Sequence, residues 1–453
     1  MRRILLVEPA YRNKYPPLGL MKISAYHKLR GDYVEFVKGC IPRARQEKWN
    51  RIYVATLFTF FWNETVRTIA YYCSSVPTPK DIFVGGVLAT LLGNELAKAT
   101  EATVIRGLID QPCILDPDSR LIVDHLIPDY TILEAIEYSY GLEDAYLGYA
   151  TRGCRNRCDF CAVSRIEPKF VDYCPLKRQV RGIEEVYGSK RDLVLLDNNV
   201  LASPQFPRIV GDILDLGFYK GARFNGKMRR LDFNQGLDAR RLTREKVRLL
   251  AQTAIRPLRL ALDNVKIRKL YVEKVRLIRE CGIQNLSTYV LYNHTDTPKD
   301  FYDRLRTSIL LNEELGTKIY SFPMKYVPLD ARDRKYVGPQ WNRQLIRGVQ
   351  CILLATRGMV TPRLEFFEAA FGRSPEEFVK ITSMPEPYII YRRHHEANGA
   401  YDWGRLYDQL TPAQRRELCE LVSHRGIGQC NPSRVRSKRL RGLLSHYVAP
   451  AAK

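Results

Sequence analysis

Apolar positions along this chain come in short continuous runs and in helical spacings that alternate. RRILLVEP, near the start, holds the unbroken apolar run ILLV, as expected of a strand buried on both faces. LGLMKISAYHKLRG follows with helical spacing and predicts an amphipathic helix ending at Gly31 as its C-cap. YVEFV and RIYVATLF predict two more strands, and NETVRTIAYYCSS a helix. DIFVGGVLATLLGNELAKA reads as strand, Gly-Gly turn and helix, and ATVIRGL as a last strand. This alternation over 1–110 predicts a Rossmann-like α/β domain with a parallel sheet. Residues 111–142 are rich in Pro and Asp and read as a linker that packs on both neighbours.

The rhythm resumes over 143–330. AYLGYAT, LVLLDN, LDFNQGL, LRLALDN, STYVLY and KIYSFPM are six candidate strands, each followed by a helical stretch. The pattern predicts a (β/α)6 partial barrel, whose chemistry belongs at the C-terminal strand ends. Polar residues gather there: Asp197, Asn198 and Asn199; Asn234, Gln235 and Asp238; Asp263 and Asn264; Asn293 and His294. Singly, each reads as a turn or cap residue; together they suggest a shared mouth. Over 331–453 the alternation stops. WNRQLIRGVQCILLAT, PEEFVKITSM and TPAQRRELCELVSHRG predict helices, the last with Thr411 as N-cap and Pro412 at N1. The fold class is therefore α/β, with a mostly helical C-terminal region.

Composition supports a folded globular chain, with 45% hydrophobic and 11% aromatic residues in 453. No apolar run reaches the length of a membrane span, and the opening segment is too short for a signal-peptide core, so a cytoplasmic protein is expected. Charge changes the picture more. The net charge is +23, and residues 1–139 carry only +2 of it, against +11 over 140–330 and +10 over 331–453. A basic excess of that size suggests a polyanionic partner, nucleic acid above all. The tail SRVRSKRLRGLL places Arg434, Arg436, Lys438, Arg439 and Arg441 around a helix whose apolar stripe is Leu440, Leu443 and Leu444. Such a helix would dock by its leucines and offer cations to phosphates.

The chemistry concentrates in GYATRGCRNRCDFCAV, where Cys154, Cys158 and Cys161 fall within eight positions. The cysteine count of 11 is odd and scattered, which suits a reducing compartment rather than a disulfide framework. Structural zinc usually takes four protein ligands, and a fourth would have to come from Cys174 or a distant His. A [4Fe–4S] cluster on three cysteines instead leaves one iron open. Arg152, Arg155 and Arg157 would suit its negative charge.

The spacing CxxxCxxC, with Phe160 before the last Cys and a strand before the loop, resembles the radical S-adenosylmethionine (radical SAM) superfamily. The resemblance covers about 143–330. It implies that the open iron chelates S-adenosylmethionine, whose reductive cleavage gives a radical that abstracts hydrogen from a substrate. It also implies an electron donor such as a flavodoxin or ferredoxin. By the same resemblance, Asp197 and Asn198 are candidates for the methionine moiety. Gln235 and Asp238 would contact its carboxylate side or the ribose, with Arg240 as a carboxylate partner. Phe160 would pack near the adenine, and the backbones of LALDN and VLYNH would line the adenosine pocket. The N-terminal unit resembles the cobalamin-binding domain of some members, through PPLGLMKISAYH and the Gly-Gly turn in VGGV. Cobalamin is thus a candidate cofactor, although the DxHxxG motif that supplies a histidine ligand is absent.

Three functions follow. The first is radical modification of a nucleic-acid base, with the basic C-terminal region holding phosphates. The second is the same chemistry on a small metabolite or peptide. The third is a non-catalytic nucleic-acid-binding protein with a structural iron–sulfur cluster; the row of polar strand ends speaks against it.

Overall fold

The computed structural model describes residues 1–424, Val435 and 437–447. The chain divides into two compact units, 1–258 with 327–336, and 259–326 with 337–453.

The first unit begins with a five-stranded sheet: β1 (Arg3–Glu8), β2 (Tyr33–Lys38), β3 (Arg51–Thr56), β4 (Ile82–Gly86) and β5 (Thr103–Val104). Its order is β2-β1-β3-β4-β5 and every pairing is parallel. β1 is an interior strand buried on both faces, as its unbroken apolar run requires. The strand order reverses between β1 and β3, so the carboxyl ends of these two strands flank a topological switch point. The helix Leu18–Leu29 ends as expected at Gly31, which takes φ +76° and donates its N–H to the Lys28 carbonyl. It is less amphipathic than its spacing suggests, because Lys22, Ser24 and His27 are buried along with its apolar residues.

Segment 111–142 is tied down by buried carboxylates. Asp116 pairs with Arg2 (2.8 Å) and accepts from Tyr26 (2.8 Å). Asp129 pairs with Lys28 (2.7 Å) and accepts from Ser24 (2.6 Å). These acids explain why a stretch poor in periodicity still packs: its order comes from ion pairs and hydrogen bonds, not an apolar face.

The same unit carries β6 (Ala145–Gly148), β7 (Asp192–Leu195) and β8 (Leu231–Phe233), a parallel sheet in the order β8-β7-β6. The helices Leu176–Tyr187 and Phe206–Asp215 return the chain between these strands. The second unit carries β9 (Leu258–Ala261), β10 (Asn285–Tyr292) and β11 (Lys318–Lys325), in the order β9-β10-β11. The six expected strands thus exist in sequence as two sheets of three, and the division of the chain falls at the first residue of β9.

Beyond β11 the second unit is helical, as expected. Phe301, Tyr302, Trp341, Phe367 and Phe378 build one core. Trp403, Tyr407, Leu440, Leu443 and Leu444 build another. Thr411 and Gln414 exchange the two hydrogen bonds of a capping box before Pro412–His424. Among the described residues, no helix is long and apolar enough to cross a membrane.

Candidate functional site

The three clustered cysteines lie on the loop that leaves β6, each half-buried and outside any disulfide. Two carboxylates hold this loop by its backbone. Asp197, two residues past β7, is fully buried and accepts from the N–H of Ala150 (3.0 Å), the N–H of Thr151 and the Thr151 hydroxyl (2.6 Å). Burial pushes its pKa up to about 6, against those donors. Glu167 accepts from the N–H of Gly153 (2.6 Å) and from Asn198 (3.0 Å), and pairs with Arg152 (3.1 Å). Gly153 has φ +73°, and a Cβ there would stand 2.3 Å from the Lys169 carbonyl oxygen. Only glycine fits that approach.

A polar chain then runs past the sulfurs. The Asn199 amide reaches Cys154 Sγ (3.4 Å) and Asp238 Oδ2 (3.4 Å). Asn156 donates to the same carboxylate oxygen (2.9 Å). Arg240 grips Asp238 through Nε (2.7 Å) and a terminal nitrogen (3.0 Å), and also interacts with the Cys158 thiol. Burial would raise the Asp238 pKa, but Arg240 and Asn156 outweigh it and hold the carboxylate below its ordinary value. The Cys158 pKa is raised, first by burial and then by Cys161 and Cys154, with Arg240 opposing. Three thiols so close together form a donor set that a cation would bind with release of protons. That chemistry fits a metal cluster. Among the described residues no group of three or more His, Cys, Asp or Glu is arranged to hold a metal ion. The iron–sulfur assignment therefore rests on donor type and spacing, not on a formed coordination shell.

The structure brings together Cys154, Cys158, Asp238 and Arg240. It spends Asp197 and Asn198 on the loop itself, leaves Gln235 exposed in the turn after β8, and half-buries Phe160. Arg152 is committed to Glu167 and to the Tyr149 ring (3.9 Å), Arg155 lies over Phe170 (4.8 Å), and Arg240 meets the Cys158 thiol. The Cys174 N–H donates to the Ala150 carbonyl (2.7 Å), while burial pushes its thiol up to about 11. Glu167 and Asn156 were not legible as site residues; neither sits in a periodic element or a recognisable spacing. Beside the loop, a cavity of about 380 Å³ is lined by Arg155, Arg241, Lys246 and Ser203 among others.

In the second unit the polar strand ends serve the backbone. Asp263 accepts from the Leu291 N–H (3.0 Å), Asn264 from that of Lys266 (2.9 Å) and Asn293 from that of Gly338 (2.7 Å). The fully buried Arg304 donates to the carbonyls of Leu262, Asp263 and Leu291, in the two segments expected to line an adenosine pocket. Of the basic tail, Arg434 and Arg436 lie outside the described residues. The helix starts at Lys438 with Ser437 as N-cap, and Leu440, Leu443 and Leu444 are buried as expected. Lys438 is exposed, Arg439 donates to the Gln409 carbonyl (3.1 Å) and Arg441 to that of Val435 (3.0 Å).

The Gly-Gly turn does not fit a cobalamin. A Cβ on Gly86 would stand 2.2 Å from the Thr56 carbonyl oxygen. Thr56 Oγ1 donates to the Gly85 carbonyl (2.9 Å) and accepts from the Ala89 N–H (3.1 Å). The glycines are spent on packing the ends of β3 and β4. At the end of β1, Glu8 is buried between Tyr140 (2.6 Å), Asn13 (2.9 Å) and Lys38. The loop that follows, PAYRNKYPP, has no histidine.

No protein-family model matches this chain. No curated protein matches it either. Among solved structures it is similar to Streptococcus suis SuiB bound to S-adenosylmethionine, with a TM-score of 0.31 at 12% identity. The match covers 47% of this chain and 44% of that one, so the chain spans less than half of SuiB. A likeness at that level carries no weight for site or function.

Proposed function

We propose that the chain is a radical SAM enzyme, one that binds an iron–sulfur cluster and S-adenosylmethionine and modifies a substrate by hydrogen abstraction. The supporting observation is the loop of Cys154, Cys158 and Cys161, anchored by Asp197 and Glu167 and flanked by Asn199 and Arg240 at two of its sulfurs. These three thiols would hold a [4Fe–4S] cluster, which when bound supplies the electron that cleaves S-adenosylmethionine to a 5′-deoxyadenosyl radical. The chain's own residues do the positioning. Asp197 and Glu167 fix the backbone before the first cysteine. Asp238 orients Arg240 and Asn199 toward the thiol loop and accepts from Asn156 within it, and Arg240 offsets thiolate charge. Gln235 and the exposed flank of Arg240 are left for the cofactor's polar groups. A nucleic-acid base is the favoured substrate because the chain carries +23, most of it beyond residue 139.

Anaerobic reconstitution with iron and sulfide tests the first part. One cluster per chain is expected, lost in Cys154→Ala, Cys158→Ala or Cys161→Ala and kept in Cys40→Ala or Cys351→Ala. Zinc at full occupancy with no iron would overturn the reading. Dithionite with S-adenosylmethionine should then yield 5′-deoxyadenosine by mass spectrometry. A loaded protein that yields none would favour a structural cluster in a nucleic-acid-binding protein.

A further inference from the structure

The carboxyl ends of β1 and β3 flank the switch point of the N-terminal sheet, where doubly wound folds take their ligands. The Gly-Gly turn at the end of the neighbouring β4 is self-packed, yet the chain places an aromatic row at this edge, FTFFW, one residue past β3. Trp62 and Thr59 are buried and belong to the core. Phe58 is not: it is 53% exposed, and its ring stacks on Phe60 at 5.1 Å with 18° between planes. Phe60 in turn meets Phe61 (4.9 Å), and Phe61 meets Tyr11 from the loop after β1 (4.6 Å).

Cations cover the same rings. The segment 327–336 belongs to this unit although it follows β11 in sequence. From it, Arg334 lies over Phe60 (4.1 Å) and Arg332 over Trp62 (4.0 Å). Both arginines are exposed; Lys335 beside them pairs with Asp333 (3.6 Å). Phe58 thus offers an open aromatic face beside two exposed guanidinium groups. Stacked aromatics flanked by arginines are how proteins hold unpaired bases and their phosphates together. A duplex hides its base faces and would gain nothing from Phe58. The loop after β1 also ties this edge to the thiol site: Tyr15 donates to Asn234 (2.5 Å), the residue before Gln235.

We infer that Phe58, Phe60, Arg332 and Arg334 form a stacking platform for single-stranded nucleic acid at the switch point of the N-terminal sheet. The platform receives an unpaired base on Phe58 and adjacent phosphates on the two arginines. It deepens the nucleic-acid reading above and rests on it.

Fluorescence anisotropy of the full chain with labelled 12-mers of oligouridylate and oligothymidylate, beside a 12-base-pair duplex, tests this. Phe58→Ala should weaken single-strand binding about tenfold and leave duplex binding unchanged, with Phe58→Trp restoring it. Arg332→Gln with Arg334→Gln should flatten the salt dependence. Equal single-strand affinity in wild type and Phe58→Ala would overturn the platform, as would equal losses for strand and duplex. Substrate-independent 5′-deoxyadenosine formation, measured on the same variants, should not change. Failure of that activity in every form would sink the radical reading alone, whereas absence of oligonucleotide binding by the wild type would sink the platform and the nucleic-acid substrate with it, leaving the radical chemistry standing.

Discussion

At Gly153 one missing methyl group decides whether the thiol loop can form. A side chain there would meet the Lys169 carbonyl at 2.3 Å in a backbone conformation that L residues avoid. Gly153→Ala should therefore cost about 1–3 kcal/mol and lower iron content after reconstitution, read by thermal melting and iron assay. Asp197 acts on the same loop from the other side. Its oxygens take three donors from Ala150 and Thr151, so Asp197→Ala should reduce cluster loading as well as S-adenosylmethionine binding. Cluster content equal to wild type, with only S-adenosylmethionine affinity lost, would show that Asp197 serves the cofactor directly.

Among the elements, the last helix makes its contribution through its leucines. Leu440, Leu443 and Leu444 are buried in the core with Trp403 and Tyr407, while Lys438, Arg439 and Arg441 stay exposed. Leu443→Ala should destabilise the chain by about 2–5 kcal/mol, measured by urea unfolding. Lys438→Gln should leave stability within about 0.5 kcal/mol of wild type, because it removes only an exposed charge. A mild Leu443→Ala would mean that the helix is dispensable to the core. The two arginines already donate to carbonyls of their own unit, which makes Lys438 the freer cation of this described stretch.

For the whole molecule, pH acts through a buried histidine of the helix Leu18–Leu29. His27 is fully buried, with Asp32 on one nitrogen (2.8 Å) and the Tyr53 hydroxyl on the other (2.9 Å). Burial pushes its pKa down to about 4; Asp32 opposes this, while Arg2 and Arg51 add to it. The unfolded chain therefore binds the proton more readily than the folded one between about pH 6.5 and 4. The stabilisation is complete above about pH 6.5 and is lost as pH falls toward 4, by roughly 3 kcal/mol. Urea midpoints should drop from pH 7.5 to pH 5 in wild type and drop less in His27→Gln. The same drop in both would assign the effect elsewhere.

By itself, the sequence determined the strands and helices and their alternation, because β1 and its neighbours are near-continuous apolar runs and burial on two faces leaves such runs few alternatives. It also determined the close spacing of the three cysteines and the leucine stripe of the last helix, since both depend on positions a few residues apart. Only the tertiary structure decided what the polar strand ends do. Asp197, Asp263 and Asn293 carry the same letters whether they face a ligand or cap a loop, and the choice rests on which distant backbone N–H groups arrive beside them. Glu167 and Asn156 gained their places the same way, and Arg332 and Arg334 came to rest on rings some 270 positions earlier in the chain. Local periodicity encodes which face is buried; partners distant along the chain are fixed by how the elements pack, and no local pattern carries that information.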